Sequence, residues 1–83
     1  MSYNIDEIMP KLQVIFREVF DEPNLIIKPE LTANDVAQWD SLTHIAMINS
    51  VEQTFGIVIP FQMLMEMESV GDLVQGISQL LQS

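Results

Sequence analysis

Three stretches of this 83-residue chain repeat their apolar residues at helical spacing, and no run alternates long enough to build a sheet. From about Ile5 to Phe20, the residues Ile8, Leu12, Ile15, Phe16 and Val19 form one stripe, leaving Lys11, Gln13, Arg17 and Glu18 for solvent. From Ser41 to Phe55, Met47, Val51 and Phe55 recur four apart with Ile48 beside them. Leu42 and Ile45 carry that apolar surface back to the helix start. After Ser69, the residues Leu73, Val74, Ile77, Leu80 and Leu81 form the last stripe. The pattern predicts an all-α fold: a small bundle of three main helices plus one short helix.

Punctuating residues set the bounds. Asn4 and Glu7 have capping-box spacing ahead of the first stripe. Pro10 lacks the N–H that a helix interior uses, so the helix is expected to start at Asp6 or later, or to kink there. Pro23 and Pro29 bracket Leu25-Ile26-Ile27, a strand-like run with no partner. Asp21 to Gln38 therefore reads as a long loop between helices 1 and 2 whose apolar residues fold back on the core. Within it, Thr32 to Val36 reads as a helical turn. Ordered loops of this length are uncommon and often functional. Gly56 ends the second helix, Ile57-Val58-Ile59-Pro60 is an extended link, and Pro60 opens a brief third helix from Phe61 to Met67. Ser69 and Asp72 have capping-box spacing before the fourth helix, which Gly71 and Gly76 weaken. Nothing in the composition divides residues 1–83, which read as a single domain.

Composition excludes several function classes. Hydrophobic residues make up 48% of the chain, enough for a packed core. Three Lys or Arg against twelve Asp or Glu give a formal charge of −9. That charge repels nucleic acid and anionic lipid, and steers the chain toward basic protein surfaces. With no cysteine there is no disulfide, thiolate metal site or thiol nucleophile. No apolar run has membrane-spanning length, and Met1 to Ile8 lacks the basic start of a signal peptide. The expectation is a cytoplasmic monomer without membrane insertion. Neither a Ser/His/Asp spacing, a phosphate-cradling glycine loop nor a metal cluster is present, so the chain does not read as an enzyme. His44, the single histidine, reads as facing solvent or a partner.

The run Trp39-Asp40-Ser41-Leu42 puts a serine hydroxyl at a helix start, where free N–H groups and the dipole favour a phosphate. Ser41 by itself is also a possible cap, and Asp40 has the same alternative, accepting from Leu42 or Thr43 N–H. The wider arrangement adds the helix order, the long first loop, Phe55-Gly56-Ile57, Ile59-Pro60 and Ser69-Val70. Over nearly its whole length the chain thereby resembles an acyl carrier protein.

The resemblance implies that Ser41 carries a covalent 4′-phosphopantetheine arm, attached by a phosphopantetheinyl transferase that uses magnesium and coenzyme A. The thiol of the arm holds a carboxylic acid as a thioester for other enzymes to act on. Asp40 would then contact the transferase or its metal, and Leu42 would be exposed to partners. Ile45 reads either as core, the favoured assignment, or as docking surface beside Leu42. Partner recognition is expected from Asp40, Leu42, Ile45, Glu52, Met63 and Glu66, facing acyl-loading and acyl-using enzymes with basic docking surfaces. Glu52, Glu66, Glu68 and Asp72 read equally as a solvated face. Met63, Met65 and Met67 form a soft cluster with at least one member in the core, and Trp39 packs the long loop onto the bundle. Carriers of fatty-acid synthesis usually have Gly and a small residue before Asp-Ser-Leu, then a glutamate-rich helix. Here Gln38-Trp39 precedes Asp40, and Ala46, Asn49 and Gln53 leave Glu52 as the only acid of the helix. That resembles discrete carriers of specialised pathways, such as polyketide or surface-glycan biosynthesis. The alternatives are an aminoacyl or peptidyl carrier, or an unmodified helical interaction module.

Overall fold

The computed structural model describes residues 5–82, which form four helices in the expected order. They are α1 (Ile5–Val19), α2 (Ser41–Phe55), α3 (Phe61–Glu66) and α4 (Val70–Gln82). Among the described residues there is no strand, only an isolated bridge between Thr32 and Ser69. Asn4 of the expected capping box lies outside the described residues.

Helix α1 packs against both α2 and α4. Its stripe supplies the centre: Ile8, Leu12 and Phe16 are fully buried, opposite Met47 and Val51 of α2 and Val70, Leu73 and Ile77 of α4. Each such side chain removed from water contributes about 1.5–3 kcal/mol, which is the main force closing so small a bundle. Helix α1 starts by Ile5, ahead of the expected Asp6, and continues through Pro10. The ring removes one N–H near the start of a 15-residue helix, and burial of the flanking stripe outweighs that loss. Asp21 closes α1 in the left-handed region (φ 54°), with Glu22 N–H donating to Arg17 O at 3.0 Å. The loop was expected to begin at Asp21, but its left-handed conformation was not, because that region usually selects Gly or Asn.

The long loop is tied down by side chains of α1 that stand in for a neighbouring strand. Gln13 donates to Leu25 O (2.6 Å) and accepts from Ile27 N–H (3.0 Å), and Arg17 Nε donates to the same Leu25 carbonyl (2.8 Å). Ile27 and Val36 enter the core while Ile26 stays exposed. The segment expected to make a helical turn forms hydrogen-bonded turns instead, with Asp35 N–H donating to Thr32 O and Trp39 N–H to Val36 O. Trp39 anchors the end of the loop, edge-on to Phe16 with ring centroids 5.3 Å apart.

Helix α2 ends at Gly56 in the left-handed region (φ 67°), where Gly56 and Ile57 N–H both donate to Glu52 O. Helix α3 stops at Glu66, one residue short of the sequence boundary, so Met67 turns inward and is buried. The Ser69–Asp72 capping box of α4 forms reciprocally: Asp72 N–H donates to Ser69 Oγ, and Ser69 N–H to Asp72 Oδ2.

Candidate functional site

Helix α2 begins on a cap that frees its first hydroxyl. Asp40 is extended, and its Oδ1 accepts from Leu42 N–H (2.9 Å) and Thr43 N–H (3.0 Å). Thr43 Oγ1 in turn accepts from Asp40 N–H at 2.7 Å. These bonds, that from Thr43 N–H first, hold the Asp40 carboxyl below its ordinary 3.8. With the cap supplied by its neighbour, Ser41 is exposed, and among the described residues its hydroxyl has no hydrogen-bond partner. The same cap corrects one sequence expectation. The N–H groups of Leu42 and Thr43 already serve a carboxylate, so they are not free to cradle a phosphate.

Ser41 stands at the mouth of an open cleft of about 550 Å³ between the long loop, the start of α2, and α3 with the link that follows it. Thr32 and Trp39 from the loop, His44 from α2, Leu64 and Met65 from α3, and Glu68 beyond it line the cleft with Ser41. Thr32, the other hydroxyl of the cleft, bonds to Asp35 Oδ2 at 3.2 Å. Ser41 is thus the cleft hydroxyl without a hydrogen-bond partner among the described residues.

The sequence-predicted partner residues divide into groups. Asp40 and Ser41 share the cleft, and Leu42 and Ile45 are 79% and 51% exposed one turn apart on α2. Ile45, favoured as core from the sequence, is thus turned outward because Met47 and Ile48 take the inner face. Glu52 lies 11 residues along α2 from Ser41, roughly 16 Å at 1.5 Å per residue. It is half-buried, and its Oε2 accepts from Ile59 N–H at 2.8 Å, an internal duty the sequence did not reveal. Met63 and Glu66 face away, lining a groove of about 190 Å³ against α4. Leu64, which the sequence did not single out, and Met65, a member of the methionine cluster read as part core and part docking surface, take their place beside the serine. The outward positions of α3, Phe61 and Met65, carried that signal in their spacing of four.

His44 also departs from expectation. It is half-buried, not turned to solvent: Nδ1 accepts from Trp39 Nε1–H at 3.1 Å, and Nε2 lies 3.4 Å from Leu64 O. Among the described residues, no group of three His, Asp or Glu side chains is placed to hold a metal ion, and no helix is long and apolar enough to cross a membrane.

A four-helix chain with a free serine at the head of its second helix, beside an open cleft, has the form of a carrier domain. The family model described as "Phosphopantetheine attachment site" matches residues 10–77, and the chain belongs to that family. An acyl carrier protein of Acidothermus cellulolyticus is 31% identical over 78 residues, covering 94% of this chain and 93% of the relative. One of Thermobifida fusca is 28% identical over 79 residues, covering 95% and 100%. The solution structure of a holo acyl carrier protein from Geobacter metallireducens superposes with a TM-score of 0.80 at 36% identity, over 89% of this chain and 88% of that one. The chain is accordingly an acyl carrier, not a catalyst, and its prosthetic group is covalent 4′-phosphopantetheine. The exposed, unbonded hydroxyl and the open cleft beside it fit such a group.

Proposed function

We propose that Ser41 is the attachment residue and that the chain carries acyl groups for a specialised biosynthetic pathway. The observation behind this reading is the division of labour at the start of α2: Asp40 caps, and Ser41 projects unbonded. A transferase would form the bond from Ser41 Oγ to the phosphorus of coenzyme A, releasing the adenosine bisphosphate portion and the serine proton. Once attached, the arm supplies a terminal thiol that holds an acid as a thioester, at high effective concentration for each partner. Asp40 Oδ2, which the cap does not use, is available to the transferase or its magnesium. Partners would meet Leu42 and Ile45 within a rim of Asp40 and Glu68, which suits basic docking surfaces. The outward face of α2 (Leu42, Ile45, Ala46, Asn49 and Gln53) carries no charge, which supports a role outside housekeeping fatty-acid synthesis. We place the chain as a single-domain cytoplasmic monomer.

The test is incubation with coenzyme A, magnesium and a broad-specificity phosphopantetheinyl transferase, followed by intact and peptide mass spectrometry. One arm is expected on Ser41. The Ser41→Ala variant is expected to fold with an unchanged melting temperature and to take none. Loading of that variant at wild-type extent overturns the assignment; a folded apo wild type that takes no arm favours the interaction module.

A further inference from the structure

We infer that His44 is a positioning residue for arm attachment, an imidazole whose two ring nitrogens tie the loop before Ser41 to α3. The inference rests on the assignment of Ser41 above.

The geometry fixes the tautomer. An indole N–H only donates, so Nδ1 of His44, 3.1 Å from Trp39 Nε1, must be the bare, accepting nitrogen. In the neutral ring the proton is then on Nε2, which faces Leu64 O at 3.4 Å. The two rings are near parallel, inclined by 18° with centroids 6.1 Å apart. One side chain thus joins three parts of the molecule. Trp39 ends the long loop, His44 sits one turn beyond Ser41 on α2, and Leu64 belongs to α3, which also lines the cleft.

Helix α3 is lightly held: it has six residues, no side-chain cap at its start and no fully buried residue, and only Met63 and Leu64 pack partly against the core. Trp39 stays packed on Phe16 and Phe20 without the link, but its indole edge and α3 lose their shared anchor beside Ser41. The transferase would then meet a less ordered surface. The effect falls on docking and not on the serine's chemistry, because His44 makes no contact with the Ser41 hydroxyl.

The experiment compares the full chain with His44→Ala and His44→Asn, in which the Asn Oδ1 replaces Nδ1 as acceptor for Trp39. For His44→Ala, the carrier KM for arm loading is expected to rise roughly fivefold with kcat little changed, as loss of one hydrogen bond allows. His44→Asn should recover part of that loss. A folded His44→Ala variant with wild-type KM overturns the proposal. If wild type takes no arm at all, the Ser41 assignment fails instead, and hydrogen exchange of the Trp39 indole proton judges the link alone. Faster exchange in His44→Ala than in His44→Asn supports it; equal exchange in both and in wild type overturns it.

Discussion

Asp40 shows how one carboxylate both builds the site and leaves it open. Its Oδ1 accepts two backbone N–H groups, which lowers its pKa, while Ser41 next to it is released from capping. A lowered carboxylate pKa stabilises the fold at every pH above the ordinary 3.8, and the contribution is lost as pH falls through the lower folded value. An Asp40→Asn variant keeps the acceptor but not the charge. It is therefore expected to melt below wild type at neutral pH and to converge with it under strong acid, where both caps are neutral. Thermal melts across that acid range check this; a gap that widens with acidification contradicts it. Asp-Ser-Leu at a helix start was legible in the sequence, and so was the choice between two capping residues. Which of them caps was not, because that depends on the extended backbone at Asp40.

At the scale of elements, boundaries depend on short local bonds, and their legibility varies with the residue. Gly56 was readable because glycine adopts a left-handed turn without strain. A Cβ there would meet nothing within 4 Å, so the cost of Gly56→Ala is purely conformational. It is expected to destabilise by about 1 kcal/mol, measured as a lower denaturant midpoint with an unchanged slope. Asp21, where the loop was expected to begin, performs the same left-handed turn at the end of α1, which its residue type did not announce. Glu52 was read as surface charge, yet it closes the link after α2 through Ile59 N–H, since the chain reverses at Gly56 and brings that amide back over the helix end. Periodicity reports which face of a helix is apolar. It does not report which backbone amide will arrive beside a glutamate seven positions earlier.

For the whole molecule, charge and shape act on partners together. The formal charge of −9 attracts basic surfaces from a distance, while the outward face of α2 is neutral and apolar near the serine. Long-range attraction is screened by salt, with a Debye length of about 10 Å at 0.1 M, whereas apolar contact is not. The rate of arm loading is therefore expected to fall as salt rises from low to physiological strength and then to level off at a residual rate set by Leu42 and Ile45. Stopped loading assays across a salt series measure this. A rate unaffected by salt assigns docking to the apolar contacts alone.

The sequence by itself determined the helix order, the core stripes, the long loop and the serine at the head of α2, because these follow from periodicity and from Gly, Pro and capping residues acting locally. Only the tertiary structure decided which side chains surround that serine. Met63 and Glu66 turn toward α4, Met65 and Leu64 toward the cleft, and His44 bonds to a tryptophan five residues before it and faces a carbonyl twenty residues after it. A six-residue helix has too few positions for periodicity to fix its rotation. Its facing is set by what it packs against, and that exists only once the bundle has closed.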